Sequence, residues 1–170
     1  MSSTWSFTCR TCRKTHGELP RAWGADSPVY YRLIPEAERQ ARCELTPDAC
    51  VIDGQQFFIR GLLEIPVLGE SEPFAWIVWC SLSQKNFERS LAVWTKPGRE
   101  AEPPYFGWLS TELPGYPSTL SLKTRVHTRE VGRAPFIELE PTDHPLAVEQ
   151  RTGISRRRVE EIAERLLHQG

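Results

Sequence analysis

The chain has 170 residues, and its 21 Lys and Arg against 22 Asp and Glu leave a net charge of −1. That length suits one domain with its own core, and the near-neutral charge excludes a general electrostatic attraction to nucleic acid or to an anionic membrane. Hydrophobic residues make up 39% and include six Trp, which excludes a disordered chain. We therefore predict a folded protein that does not bind a membrane, and for which nucleic acid binding would need a local basic patch.

The start of the chain lacks the basic segment and the following apolar stretch of a secretion signal, and no apolar run is long enough to span a bilayer. Five cysteines are an odd number and too few for a disulfide scaffold of this size. We expect a cytoplasmic protein whose thiols stay reduced, so metal ligation is favoured over disulfides.

The first 50 residues contain little regular periodicity. Pro and Gly recur in residues 17–28, which predicts a loop, and residues 29–33 are predicted as a short extended piece. Pro35 is followed by Glu36 and Glu38, as is typical of the first turn of a helix. A short helix is therefore predicted after Pro35.

Residues 50–82 have the composition of β-strands. The Asp53-Gly54 dipeptide lies between two β-rich runs and predicts a tight hairpin. A second pair of strands is predicted at 62–68 and 74–82. The latter run is apolar on both of its alternating faces, which is typical of a central strand buried on both sides.

The second half alternates between helices and strands. Ser83 is a candidate cap for a helix that covers the sheet, and strands are predicted at 106–109, 120–129 and 136–140. Thr142 is a candidate cap for a helix that stops at Gly153, and Ser155 begins a last helix with one apolar stripe.

The strongest chemical signature is "CRTCRKTH", residues 9–16. Cys9 and Cys12 are spaced to converge on one ion, and His16 can supply a third ligand from the same loop. For a fourth ligand we select Cys50, because it begins a hairpin that can return to the N-terminus; Cys43, His127 and His144 are weaker candidates. Ordinary thiols or a redox pair are the alternatives, and a redox pair is disfavoured because the motif does not open a helix after a strand.

Two basic segments raise the question of nucleic acid binding. Lys123, Arg125, His127 and Arg129 form one face of a predicted strand, but no base-stacking aromatic residues interleave with them in sequence. We interpret that row as a solvated strand face.

The Gly153 segment resembles the turn of helix-turn-helix regulators, although Glu149 stands where such motifs have a small residue. Arg156 and Arg157 are spaced to pair with Glu160 and Glu161, which removes a free basic surface. We interpret the segment as a helical hairpin.

Signatures of common enzymes, such as a Gly-x-Ser-x-Gly elbow or a phosphate-binding glycine loop, do not occur in the sequence. Asp143 and His144 are adjacent at a helix start, where capping explains them better than acid–base chemistry. Trp76 and Trp108 are candidates for an aromatic pocket, but aromatic residues in such strands usually belong to the core.

Several blocks, "CRTCRKTH", "CVIDGQQFFIRGLLEIPV", "WCSLSQKNF", "PPYFGWL" and "LEPTDHPLAVEQRTGIS", resemble a bacterial domain-of-unknown-function family, the one numbered 2199. The resemblance implies a cytoplasmic bacterial protein with an N-terminal Cys-x-x-Cys knuckle, and it implies no activity. The family usually has Gly after the second cysteine, where this chain has Arg13; a turn with positive φ would be strained there.

We therefore predict an α+β fold with a mainly antiparallel sheet, helices on one face, a zinc-knuckle-like N-terminal loop and a C-terminal helical hairpin. One domain is expected, with a knuckle and loop at 1–34, a sheet with a packed helix at 35–140 and the hairpin at 141–170. The predicted function is a non-enzymatic binding or adaptor domain for a protein or small-molecule partner, with structural zinc held by Cys9, Cys12, His16 and Cys50. The alternatives are a DNA-associated regulator that uses the Gly153 segment and an enzyme with an aromatic pocket near Trp76 and Trp108 and with His144 as base.

Overall fold

A computed structural model describes residues 6–17 and 21–168. Parts of the predicted segments, residues 1–5, 18–20 and 169–170, lie outside the described residues. The α-helices are α1 (Val29–Leu33), α2 (Glu36–Arg42), α3 (Gln84–Ala92), α4 (Pro145–Thr152) and α5 (Arg156–Leu167). The strands are β1 (Phe7–Thr8), β2 (Thr15–His16), β3 (Ala22–Gly24), β4 (Cys43–Leu45), β5 (Ala49–Ile52), β6 (Gln56–Ile65), β7 (Phe74–Leu82), β8 (Tyr105–Leu109), β9 (Lys123–His127) and β10 (Phe136–Leu139).

Five consecutive strands, β6 to β10, close into a barrel. Each strand runs antiparallel to the one before it, and β10 returns to β6. Because five is an odd number, the first and last strands of such a meander must run parallel. That closing contact is narrow, with Phe136 opposite Leu62 as its register pair. The parallel pairing of β3 with β7 adds a further strand outside the ring.

The barrel interior holds the main core. Leu63, Trp76, Val78, Val126 and Ile137 are completely or almost completely buried there and alternate with outward-facing neighbours along their strands.

Gly61 allows β6 and β10 to approach closely. A Cβ atom at Gly61 would lie 2.6 Å from the Ile137 side chain. A larger residue at position 61 would therefore push apart the two strands that close the ring.

Helices cover the barrel from more than one direction. Leu146 of α4 and Val159 of α5 belong to the main core, whereas α1 leads into a separate cluster with Ile34, Phe58 and Trp79. None of the helices in the described ranges combines the length and the apolar character needed to cross a bilayer.

Most local predictions match the observed elements. Asp53 and Gly54 both have positive φ, 53° and 61°, between β5 and β6, and the Ser83 hydroxyl accepts from the Asn86 N–H at the start of α3. Ser155 caps α5 in the same way through the Arg158 N–H. At α4, however, the N-cap is His144 rather than Thr142.

Some element predictions were wrong. The predicted loop at 17–28 contains the strand β3, which pairs with β7, and the strand predicted at 62–68 is the end of β6, which stops at Ile65. Residues 29–33 form the helix α1 rather than an extended piece. Valine and tyrosine favour strands, but packing overrides that weak preference, because Tyr30 stacks on Phe58 with ring centroids 5.9 Å apart.

The α+β class is confirmed. The sheet is mixed, with parallel pairs at both β3–β7 and β6–β10, where the sequence predicted a mainly antiparallel sheet. Barrel closure was not predicted. The predicted C-terminal helical hairpin is not confirmed. Ile154 lies between α4 and α5 and forms a parallel β-bridge with Val67.

The β6–β10 contact is completed by a side chain. The Gln150 carbonyl oxygen accepts from the Leu139 N–H at 2.8 Å, and its amide nitrogen donates to Ile137 O at 2.9 Å and Glu64 O at 3.3 Å. Gln150 thus supplies, from α4, the hydrogen bonds that a longer strand pairing would have made.

A buried arginine organises the loop before β10. Arg99 is 6% exposed and donates to the backbone carbonyls of Trp94, Arg129, Glu130 and Arg133 at 2.7–3.1 Å. Within the described residues, no carboxylate forms an ion pair with Arg99, so the carbonyl dipoles and the face of the Trp94 ring, 5.1 Å from Arg99 Cζ, balance its charge.

We expect Gln150→Ala to lower the free energy of unfolding by about 2 kcal/mol, because it leaves backbone groups at the β6–β10 contact without partners. Urea unfolding followed by circular dichroism measures the change. The control is Gln84→Ala, an exposed helical Gln whose side chain bonds only to Glu88, for which we expect a change below about 0.5 kcal/mol. Equal effects of the two substitutions would contradict this role of Gln150.

We expect Arg99→Met to cost about 3 kcal/mol, because it keeps the aliphatic part of the side chain but leaves four carbonyls without their donor. Arg133→Met is the control, since Arg133 forms an exposed ion pair with Glu130, and such pairs contribute less than about 1 kcal/mol. Thermal melting of both variants checks the difference. A stability loss no larger than that of the control would contradict the anchoring role of Arg99.

Candidate metal centre

The N-terminal knuckle is a small hairpin built from β1 and β2. Phe7 pairs with His16 across the two strands, and their rings stack with centroids 5.2 Å apart. The Cys9 N–H donates to Lys14 O at 2.9 Å, and the Arg13 N–H donates to Cys9 O at 2.8 Å. These bonds fold residues 9–14 into a tight turn that brings the side chains of both cysteines and of His16 together.

Arg13 adopts the left-handed conformation that the turn requires, with φ of 61°. For a residue with a Cβ atom this conformation costs about 1–2 kcal/mol, whereas for glycine it costs almost nothing. The turn therefore forms in this chain with a strained residue at its corner.

The fourth member of the site comes from the other end of the chain. His168 directly follows α5, whose apolar stripe of Val159, Ile162 and Ala163 is buried in the main core. The His168 N–H donates to Glu164 O at 3.2 Å and so continues the last turn of the helix. Packing of the α5 stripe thus fixes the position of His168.

A polar contact joins α5 to the knuckle next to this site. The Arg10 N–H donates to the Glu164 carboxylate at 3.0 Å, and Arg157 holds the same carboxylate at 3.3 and 3.4 Å. Although burial acts to raise it, the pKa of Glu164 is lowered, because the Arg10 N–H and the Arg157 guanidinium stabilise the ionised form.

The four donor atoms of Cys9, Cys12, His16 and His168 all lie within 4.8 Å of one another. Cys9 Sγ is 3.0 Å from His168 Nε2, and Cys12 Sγ is 3.5 Å from His16 Nε2. Cys9 is fully buried, Cys12 and His16 are half-buried, and His168 is exposed. The centre therefore lies at the surface, with its first ligand anchored in the core.

The environment of Cys9 favours the thiolate. Burial acts to raise the pKa of this thiol, but hydrogen bonds from the backbone of Cys12 and Thr11 and from the His168 and Cys12 side chains outweigh it. The pKa of Cys9 is lowered from 9.0 to about 6. A thiolate is the form of cysteine that ligates metal ions.

This donor set fits a tetrahedral zinc ion. Ligands at about 2.0–2.3 Å from such an ion lie about 3.3–3.8 Å apart, close to the separations seen here. Two thiolates and two neutral imidazoles would also balance the two positive charges of Zn²⁺. The four residues can therefore hold the ion after a small contraction of the cluster.

Cys50, the ligand that the sequence analysis selected, is not part of this cluster. Its side chain is fully buried among Ile52, Phe58 and Trp79 in the separate core cluster. Burial raises the pKa of Cys50 to about 12, which disfavours the thiolate that a metal would need. The structure thus brings together three of the four selected residues and places His168 beside them.

The weaker ligand candidates also lie elsewhere. Cys43 packs beside the cluster that contains Cys50, and its pKa is raised by burial. His127 Nε2 lies 3.2 Å from a Glu138 carboxylate oxygen, and His144 Nδ1 accepts from the Leu146 N–H as the cap of α4.

Sequence reasoning missed His168. Its one local signal is its position at the end of the amphipathic α5, and nothing in the sequence shows that this helix ends beside the knuckle.

Comparison with curated proteins and with solved structures gave no match. A protein-family model does match, over residues 8–154, and that stretch contains Cys9, Cys12 and His16. His168 lies beyond the matched stretch. The chain belongs to the family described as an uncharacterized protein conserved in bacteria, DUF2199.

Proposed function

We propose that this protein is a non-catalytic binding or adaptor domain of the bacterial cytoplasm, stabilised by one structural zinc ion. The observation that carries the proposal is the convergence of Cys9, Cys12, His16 and His168 from the two ends of the chain. Zinc sites in which protein side chains fill all four positions are structural, since no position is left for water or substrate.

The ion would fasten the knuckle to α5. Phe7 and Cys9 are the buried residues of the knuckle, and the remainder of the hairpin is largely exposed. A small element with so little buried surface gains much of its stability from a metal, because the free energy of metal binding adds to that of folding. All five cysteines are free thiols, which suits a reducing compartment.

The contacts of the Gly153 segment support the binding domain over a DNA-associated regulator. Arg157 pairs with Glu160 and Glu164, and Arg158 pairs with Glu149 at 2.9 Å. These guanidinium groups already have carboxylate partners, and losing them would offset the gain from phosphate contacts.

The aromatic residues give no support to an enzyme pocket near Trp76 and Trp108. Trp76 is fully buried inside the barrel, whereas Trp108 lies on the outer surface and is 43% exposed. His144, the candidate base, is held as a helix cap through Nδ1, and its Nε2 lies 3.1 Å from the carbonyl oxygens of Pro117 and Ser118.

Metal analysis of the purified protein tests the centre. We expect about one zinc ion per native chain, and loss of that zinc together with a lower melting temperature in a Cys9→Ser, Cys12→Ser variant. Cys43→Ser is the matched control, since this thiol lies outside the centre, and it should keep the zinc. Equal zinc content in the native protein and the double variant would contradict the proposed zinc centre.

The fourth ligand can be tested separately. We expect His168→Gln to weaken zinc affinity at least about tenfold, because it removes one of four donors, and His127→Gln to leave the affinity unchanged. Competition with a chromophoric chelator measures both affinities. If Cys50→Ala released the zinc and His168→Gln retained it, the centre proposed here would be wrong.

A further inference from the structure

A second region of the molecule has the features of a ligand site. A cavity of about 420 Å³ lies between β6 and the loop before β10. Three arginines line it, Arg60, Arg99 and Arg133, and Asp48 is the one carboxylate in its lining. Arg99 is engaged by backbone carbonyls and Arg133 pairs with Glu130, so Arg60 is the guanidinium that an anionic ligand can engage.

Arg60 is the arginine of this cavity whose guanidinium has no close carboxylate or carbonyl acceptor among the described residues. Within those residues its buried Nε has no hydrogen-bond partner, and its nearest terminal nitrogen lies 4.0 Å from Asp48, which is too long for a hydrogen bond. Because Nε is covered, an anionic group in the cavity would bond to the terminal nitrogens, which the long contact with Asp48 leaves poorly satisfied. The Arg60 side chain is 33% exposed, so a ligand can reach it.

An apolar groove of about 280 Å³ adjoins this cavity, and the two share Asp48 and Trp94 in their linings. Its other lining includes Ile59, Phe87 and Leu91. Leu91 is 49% exposed although α3 otherwise turns its apolar side toward the barrel. The groove therefore leaves apolar surface open to solvent beside the arginines.

We propose that the cavity and the groove together bind an amphipathic anion, an apolar chain that ends in a carboxylate or phosphate head. The chain would lie along the groove, and the head would bond to Arg60. Glu44 also lines the groove, and its negative charge disfavours the opposite orientation. This inference gives a ligand class to the proposed binding role on which it rests, but it does not depend on the metal centre.

Asp48 gives the proposal a distinctive test, because it competes with an anionic head for Arg60. Removal of the Arg60 charge should weaken binding, whereas removal of the Asp48 charge should strengthen it. A purely structural role for the Arg60–Asp48 contact would not give opposite signs.

Isothermal titration calorimetry of the full chain as purified, with decanoate and decyl phosphate below their critical micelle concentrations, measures the effect. We expect saturable binding of at least one probe, weakened about tenfold or more in Arg60→Gln and tightened severalfold in Asp48→Asn. Decanol and inorganic phosphate, which each lack one half of the ligand, should bind about tenfold more weakly or worse. Arg125→Gln, a change at an exposed arginine on β9, is the control and should leave binding unchanged.

The preferred head group decides between the two sources, since tighter binding of decyl phosphate indicates a phosphate ester and tighter binding of decanoate a fatty acid. Equal binding by Arg60→Gln and the native chain, or by decanol and decanoate, would overturn the inference. A folded protein that binds neither probe would overturn it too, and would leave the metal proposal intact, because the metal content is measured separately.

Discussion

The docking of the C-terminal end of α5 on the N-terminal knuckle is the contact on which the candidate site depends. Cys9 and His168 approach to 3.0 Å, and the Arg10 N–H bonds to the Glu164 carboxylate. These residues are far apart in sequence, so bringing them together reduces the entropy of a long loop, and the contacts within the knuckle do not offset that cost. The apolar stripe of α5 offsets this cost, because its burial in the main core holds the helix in place. The binding free energy of the proposed metal ion would add to this stabilisation.

Side chains that lie outside the ring of strands complete the closure of the barrel. A meander of five strands can close only through a parallel pair, and here that pair is short. Gln150 of α4 supplies the missing hydrogen bonds, and Arg99 fixes the loop that leads into β10. The barrel is therefore closed by side chains from outside the ring as much as by its own backbone. The pattern of strands in the sequence is therefore not enough to predict that the sheet closes into a barrel.

Sequence reasoning succeeded where the determining interactions are local. The spacing of Cys9, Cys12 and His16 predicted a cluster that the structure does bring together, and the two-sided apolar pattern of β7 predicted a buried central strand. It failed where distant segments decide the outcome. Cys50 begins a hairpin, as predicted, but its side chain enters a separate core cluster. His168 lies beside the knuckle because the apolar stripe of α5 is packed in the main core. Closure of the barrel and the helical state of residues 29–33 were missed for the same reason, since both are imposed by tertiary packing.

Arg13 carries backbone strain, and Arg60 has a buried nitrogen without a hydrogen bond among the described residues. Arg13 carries backbone strain in the turn that gathers the proposed ligands, which suits a site whose bound ion offsets the cost. Arg60 differs from Arg157 and Arg99 in having no close acceptor for its guanidinium among the described residues. Arg157 also has a buried nitrogen without a hydrogen bond, but its remaining nitrogens contact Glu160 and Glu164, and Arg99 has its four carbonyls. In the part of the chain that the structure describes, the Arg60 guanidinium makes only a long contact with Asp48, beside an apolar groove that lies open. Within that part, the other buried side-chain atoms without a hydrogen bond belong to uncharged side chains, Trp23, Trp76 and Thr124, or to Arg157, which has its two carboxylates. Arg60 is therefore the charged group whose hydrogen bonding an anionic ligand would complete.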